Sequence, residues 1–347
     1  MNVRRWVGFV LVAAIAGCGG SAERPAADSP KEVVVYTALD REFSEPILEA
    51  YEARTATRVD AKYDAESTKT VGLTNTIIAE ATRPRCDLFW NNEVLNTLRL
   101  KKRGLLATWT PPNAADFPAN FRAQDGTWYG FAARARVLIV NTQLIPKESD
   151  RPTSIYAMID PKWKGKIAIA KPLFGTTATH ATCLFAALGE AKAKAYFGAL
   201  KANGVKIVSG NKQVAIDVAA GRLAFGLTDT DDAIGEVEAG HPVAIIYPDG
   251  GPDGLGTLFI PNTLAILKNA PHPQAAEALA MDLLKPDVEE ALAKGPSAQI
   301  PLNAKVTTKL RVETPKTVRA MAVDFEAAAE LWDTVSTYLV AEFGAEP

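Results

Sequence analysis

The chain has 347 residues, a formal net charge of −2 and no basic block, which argues against nucleic acid as a partner. At 48% hydrophobic and 22% charged it can bury the cores of two globular units. Beyond the N-terminus no apolar run approaches the length of a transmembrane helix.

Met1–Cys18 reads as a lipoprotein export signal. Arg4 and Arg5 form a positive n-region, and Trp6–Ala14 is an apolar stretch too short to be a comfortable membrane span. Ile15-Ala16-Gly17-Cys18 then leads to a cysteine through small residues. The expectation is removal of residues 1–17, lipidation at Cys18, and a flexible tether over 18–31 rich in Gly, Ala, Ser and Pro. The mature protein then stands outside the cytoplasmic membrane, anchored by lipid. Cleavage at a different small residue, with Cys18 incidental, is the alternative.

Regular alternation begins after the tether. Spacing predicts strands over Val33–Thr37, Arg58–Tyr63 and Cys86–Trp90, and helices over Arg41–Thr55, Lys69–Thr82 and Asn92–Arg103. Short connections between them argue a parallel sheet covered on both faces. The pattern breaks, then restarts with strands over Arg136–Asn141, Lys166–Ala170, Val205–Ser209 and Leu223–Thr228. The helices of this second unit fall at Thr177–Leu188, Ala191–Asn203, Lys212–Ala220 and Asp231–Ala239. Thr257–Leu267 returns as an extended segment, followed by helices at Pro273–Leu284, Asp287–Lys294 and about Ala320–Glu342. The predicted fold is α/β and two-lobed, with parallel-rich sheets, flanking helices and a hinged cleft at the strand C-termini. Lobe I is assigned to 32–135 and 257–305, and lobe II to 136–256 and 306–347. The hinge is expected near Ala132–Arg136 and Gly256–Pro261.

Six runs, in order, carry a family resemblance: VVVYTA (Val33–Ala38), DLFWNNE (Asp87–Glu93), ARARVLIVNT (Ala133–Thr142), DPKWKGKI (Asp160–Ile167), QVAIDVAAG (Gln213–Gly221) and PNTLAILK (Pro261–Lys268). With them the chain resembles a type II periplasmic solute-binding protein of an ABC importer, and more narrowly the ferric-iron-binding branch. The resemblance implies a monomeric binding component that delivers its ligand to a permease and its ATPase, with no catalytic cofactor.

It also implies a site. Asp40 stands where the ferric branch usually places a histidine ligand, and Glu93 matches that branch's glutamate. The branch's adjacent tyrosines fall opposite Asp231 and Asp232, so phenolate ligands are missing here. Asp40, Glu93, Asp231 and Asp232, with Glu66 as a further candidate, would gather carboxylates in one cleft. Such acids repel one another unless a cation sits among them. An all-oxygen shell suits Fe³⁺ or another hard cation. The plain structural alternative is that Asp229, Asp231 or Asp232 only caps the helix starting there.

An anion contact is expected at Gly175-Thr176-Thr177, where a helix N-terminus offers free N–H groups, with Asn211, Asp229 and Arg136 nearby. The family's serine falls on Phe174, so Thr176 or Thr177 would replace its hydroxyl. Thr37 and Asn92, at the ends of strands one and three, join as ligand contacts. Arg134 and Arg136 form an R-x-R pair that either offsets the acids or makes an interlobe salt bridge.

Other ligands stay open. Trp90 beside Glu93, and Trp128-Tyr129, would suit an organic cation of the polyamine type through cation–π contact, although a buried Trp is more often core. A phosphonate or phosphorylated ligand would use the Gly175–Thr177 turn and Arg136. A sensor lipoprotein or an enzyme on the same fold would look alike, but no nucleophile elbow, phosphate loop or HExxH is present. Asp249–Gly254 reads as a surface turn rather than a calcium loop, and His180, His241 and His272 do not cluster. Cys86 and Cys183 read as buried free thiols, with a disulfide as the alternative.

Overall fold

The computed structural model describes Met1, residues 31–65 and residues 68–345. The export signal, Cys18, most of the tether and Glu66 lie outside the described residues.

The first lobe is built on strand β1 (Glu32–Thr37), flanked in parallel by β2 (Arg58–Tyr63) and β3 (Leu88–Asn91). β1 is a β-branched run whose Val33 and Val35 are fully buried, whereas β2 is an edge strand that alternates exposed and partly covered residues. Helices α1 (Arg41–Thr55), α2 (Val71–Ala79) and α3 (Leu95–Lys102) follow the three strands in turn.

Two long strands then cross between the lobes. β4 (Tyr129–Asn141) is buried along its whole length and pairs antiparallel with β9 (Phe259–Ile266), which in turn pairs antiparallel with β3. The C-terminal half of β4 pairs with β7 (Phe225–Asp229) and β8 (Val243–Ile246), again antiparallel. β5 (Ile167–Ala170) joins β7 and β6 (Lys206–Val208) in parallel. The strand order is β2-β1-β3-β9-β4-β7-β5-β6. Each lobe is thus a parallel group closed by antiparallel crossing strands, because β4 and β9 run between the lobes in opposite directions.

Helices α4 (Gly175–Leu188), α5 (Glu190–Ala202), α6 (Asn211–Ala219) and α7 (Thr230–Glu238) cover the second lobe. Gly226 on β7 is required by close packing: a Cβ there would lie 2.4 Å from Val214 Cγ1 of α6 and 3.0 Å from Ala168 O. α8 (Pro273–Leu283) and α9 (Pro286–Lys294) return to the first lobe. The long C-terminal helix expected from the sequence is two helices, α10 (Phe325–Glu330) and α11 (Trp332–Phe343), which break at Leu331. α10 packs against both α3 and α4, so the segment assigned to lobe II reaches both lobes. Strand β8 goes beyond the elements expected from spacing, since Val243–Ile246 is only partly covered and shows no alternation.

At the crossing, the β4–β9 register slips between Phe131 and Arg134, and Ala132 adopts a positive φ of 43°. Buried Glu289 of α9 holds this bulge by accepting from Ala132 N at 2.6 Å. Among the described residues no helix is long and apolar enough to cross a membrane.

Candidate functional site

β4 carries Arg134 and Arg136 on one face, two residues apart, and the β4–β7 register sets Arg136 opposite Asp229, the last residue of β7. α7 begins at the next residue and brings Asp231 and Asp232 beside them. One carboxylate oxygen from each of Asp229, Asp231 and Asp232 lies within 4.8 Å of the others. The order strand–Asp–helix is what gathers these acids.

The two arginines divide them. Asp229 accepts from Arg136 Nη1 at 2.7 Å, Thr176 Oγ1 at 2.5 Å and Asn211 Nδ2 at 2.9 Å. Asp229 occupies the N-cap position of α7, yet its carboxylate caps no backbone N–H. Asp231 pairs with Arg134 Nη1 at 3.1 Å, both side chains being about 3% exposed. Burial pushes the Asp231 carboxyl up to about 6 despite Arg134, with Asp229 and Asp40 adding to the rise. The Asp232 carboxyl is pushed well above its ordinary range by burial and by Asp231 and Asp229. Among the described residues the Asp232 carboxylate has no hydrogen-bond or ion-pair partner.

Asp229, Asp232 and Arg134 open on a cavity of about 450 Å³ between the lobes, which Asp231 does not line. Asp232, Asp229, Arg134, Thr176, Thr177 and Asn211 line it from the second lobe, and Asp40, Lys69 and Asn92 from the first. The N-termini of α1, α4, α6 and α7 all meet the cavity, so their free N–H groups and dipoles favour negative charge there. Arg134 lines the cavity, and its Nε and Nη2 are buried without a hydrogen-bond partner among the described residues. Asn92 Oδ1 is likewise buried and unpartnered. The site therefore sets an acid without a partner among the described residues beside the Arg134 guanidinium.

Sequence-level candidates divide sharply here. Asp40, Asp229, Asp232, Asn92, Gly175, Thr176, Thr177 and Asn211 line the cavity. Asp40 is paired with Lys69. Asn211 is the first residue of α6 rather than its cap and contacts Arg136, Thr176, Thr177 and Asp229. Arg136 is fully buried behind the wall, bound to Asp229, Thr176, Thr177 and Asn211. Thr37 is fully buried at the end of β1 and does not reach the cavity.

Glu93 corrects the expectation most clearly. Its side chain is fully buried and accepts from Leu95 N at 2.6 Å and Asn96 N at 3.0 Å, capping α3. It takes Asn91 Nδ2 and Thr179 Oγ1 besides, and it does not line the cavity. The aromatic candidates are core: Trp90 packs on Phe131 and donates to Asn262, Trp128 is buried, and Tyr129 donates to Trp109 O. None of the three lines the cavity, which removes the cation–π argument for an organic cation.

Lys69, Lys171, Lys212 and Ser209 also line the cavity, and no motif in the sequence singles them out. Each lies between a strand and a helix or, for Lys212, in the first turn of α6, and that position at the sheet's C-terminal edge is the one signal that could have found them. Cys86 and Cys183 are free and buried. Asp249 is a buried turn residue, and Ile155 N donates to its carboxylate.

Residues 47–321 match the family described as Bacterial extracellular solute-binding protein. The chain belongs to that family. A curated relative, Iron uptake protein A2 of Synechocystis sp. (strain ATCC 27184 / PCC 6803 / Kazusa), is 30% identical over 190 residues, 51% of this chain. The match spans 54% of that relative, about half of its length. Among solved structures, iron-bound HitA from Pseudomonas aeruginosa superposes with a TM-score of 0.80 at 21% identity, covering 89% of this chain and 99% of that one. AfuA from Actinobacillus pleuropneumoniae, solved with fructose-6-phosphate, gives a TM-score of 0.80 at 21% identity, covering 91% and 100%. The chain shares its two-lobed periplasmic-binding-protein fold with both of these solved structures.

Proposed function

We propose that this protein is the lipid-anchored, extracytoplasmic binding component of an ABC importer, and that it captures an iron-like hard cation together with an anionic group. The observation that carries the reading is Asp232. Among the described residues it is an acid without a partner, raised by burial and flanked by Asp229 and Asp231 within 4.8 Å. A cation there would relieve the repulsion, and oxygen ligands suit a hard ion. On the same wall, Arg134 holds two unpartnered N–H groups for an anion. The kinship with an iron uptake protein supports the same cargo.

In this reading Asp232 is the first ligand, with Asp231 and Asp40 drawn in as Arg134 and Lys69 turn toward the anion, while Arg136 keeps Asp229 in the wall. Thr176, Thr177, Asn211, Gly175 and Asn92 complete the contacts to the anion, while Glu93 and Thr37 take no part. Lobe closure is a population shift set by contacts to both lobes. The closed protein docks on a permease and its ATPase. Capture is stoichiometric, without turnover, so the protein is a binder and not an enzyme.

A second reading is favoured by a separate observation. The cavity of about 450 Å³ exceeds what one ion needs, and Arg134 and Arg136 already hold two of the three acids. A phosphorylated organic ligand would place its phosphate among the helix N-termini and its hydroxyls at Asp232. Elemental analysis of the exported protein separates the two. About one iron per chain supports the first reading; a metal-free protein that co-purifies with a phosphate ester supports the second.

A further inference from the structure

Glu93 is free of the cavity but is not idle. Its Oε2 accepts from Thr179 Oγ1 at 2.7 Å, and Thr179 belongs to α4 of the opposite lobe. Both side chains are fully buried. Thr179 stands three residues after Thr176, within the turn of α4 that lines the cavity. Behind Glu93 the polar contacts continue through buried residues: Asn91 Nδ2 donates to Glu93 Oε1 at 2.8 Å and to Thr97 Oγ1 at 3.2 Å. Thr97 Oγ1 meets Thr263 Oγ1 at 2.7 Å, and Thr263 lies on the crossing strand β9. A connected polar chain therefore runs from the crossing strand to the ligand-contacting helix.

Other contacts among the described residues also cross between the lobes beside the cavity. Gly175 N donates to Lys69 O at 3.1 Å, and Lys212 Nζ lies 3.0 Å from Glu42 Oε1. The Lys212–Glu42 pair is exposed, and such pairs contribute little. Glu93–Thr179 differs in kind, since a hydroxyl donates to a carboxyl oxygen and both side chains are fully buried. Opening the lobes would remove Thr179 from a carboxylate whose other acceptor sites stay occupied by the α3 amides and Asn91.

We propose that Glu93 is a positioning residue that, with Thr179, forms a buried interlobe clasp holding α4 in its ligand-contacting position. The proposal rests on the cleft being the binding site but not on which ligand occupies it. Its job is to set the balance between open and closed protein before any ligand arrives. Glu93 keeps the place its family resemblance implies but acts through α4 rather than on the ligand.

The test needs no ligand. The Gly175 amide is bonded across the lobes, so its hydrogen-exchange rate, read by NMR on the full ligand-free protein, reports opening. Thr179→Val removes the donor at nearly constant volume, and Thr179→Ser restores it. Glu93→Asp keeps a capping carboxylate for α3 while withdrawing it from Thr179. Thr179→Val and Glu93→Asp should each speed Gly175 exchange about tenfold and enlarge the radius of gyration in small-angle scattering, with Thr179→Ser unchanged. The double variant should go no further than either single one. Wild-type exchange in both Thr179→Val and Glu93→Asp, or fully additive effects, would overturn the clasp. Urea midpoints establish that each variant is folded, and Glu93→Asp carries the test if Thr179→Val does not fold. Because the readout is ligand-free, a failure to bind iron leaves this result standing, and the reverse also holds.

Discussion

Arg136 on β4 lies directly opposite Asp229 on β7, and its Nη1 is 2.7 Å from Asp229 Oδ1, with both side chains buried. The pair joins the sheet register to the wall of the cavity, since Thr176 and Asn211 share the same hydrogen bonds. Removing one partner strands a buried charge. Arg136→Met or Asp229→Leu alone should cost about 3–5 kcal/mol in urea unfolding, and the double variant should cost less than either. A double variant that simply adds the two losses would show that the pair is not acting as a unit.

Asp232 should behave in the opposite way. Among the described residues it has no partner to lose, and neighbouring acids oppose its charge. Asp232→Asn should leave stability unchanged or raise it by up to about 1 kcal/mol, while weakening ligand capture at least tenfold. Calorimetric affinity and thermal unfolding, measured on the same variant, check both halves. Loss of stability in step with affinity would make Asp232 a structural residue.

Two buried groups give stability opposite pH slopes. Burial, helped by Arg136, pushes His180 down to about 3, so the unfolded chain binds its proton first. Stability is therefore lost as pH falls below about 6.5, by up to about 1.4 kcal/mol per pH unit. Asp231 is raised to about 6, so the folded protein binds its proton first, and stability is lost as pH rises from about 4 to 6. His180→Gln should flatten the acid loss, and Asp231→Asn should remove the opposing slope. Unfolding curves between pH 4 and 7, a range these values set, measure both.

Gly226 ties core packing to the site. A Cβ at this position would stand only 2.4 Å from Val214 Cγ1 and force α6 away from β7, and Asn211 is the first residue of α6. Gly226→Ala should cost about 1–3 kcal/mol and also weaken binding, although it touches no ligand. Unchanged affinity would show that α6 absorbs the strain without moving Asn211.

The strands and helices were largely legible because β1, β7 and α7 carry strong local patterns: a β-branched run, then Asp at a strand-to-helix turn. Asp229, Asp231 and Asp232 could be grouped because they sit within four residues. What the sequence could not show is how the acids are spent. Arg136 meets Asp229 only through the β4–β7 register, which no local signal reports. Glu93 matches a ligand position by order along the chain, but the depth of β3 and the first turn of α3 draw its carboxylate inward to backbone amides. Lys69 and Lys171 lie in loop positions where a lysine usually means only a solvated surface. The single C-terminal helix failed because the apolar stripe runs across Leu331, where two helices adjoin without a proline or glycine to mark the break.

The most direct test of the central claim is calorimetric titration of the chelator-stripped protein with Fe³⁺, with and without citrate, beside Asp231→Ala/Asp232→Ala and a parallel titration with fructose-6-phosphate. The account predicts binding of about one iron per chain, strengthened by the anion and abolished in the double variant. Binding of the sugar phosphate with no heat from iron would contradict it and assign the cleft to a phosphorylated organic ligand.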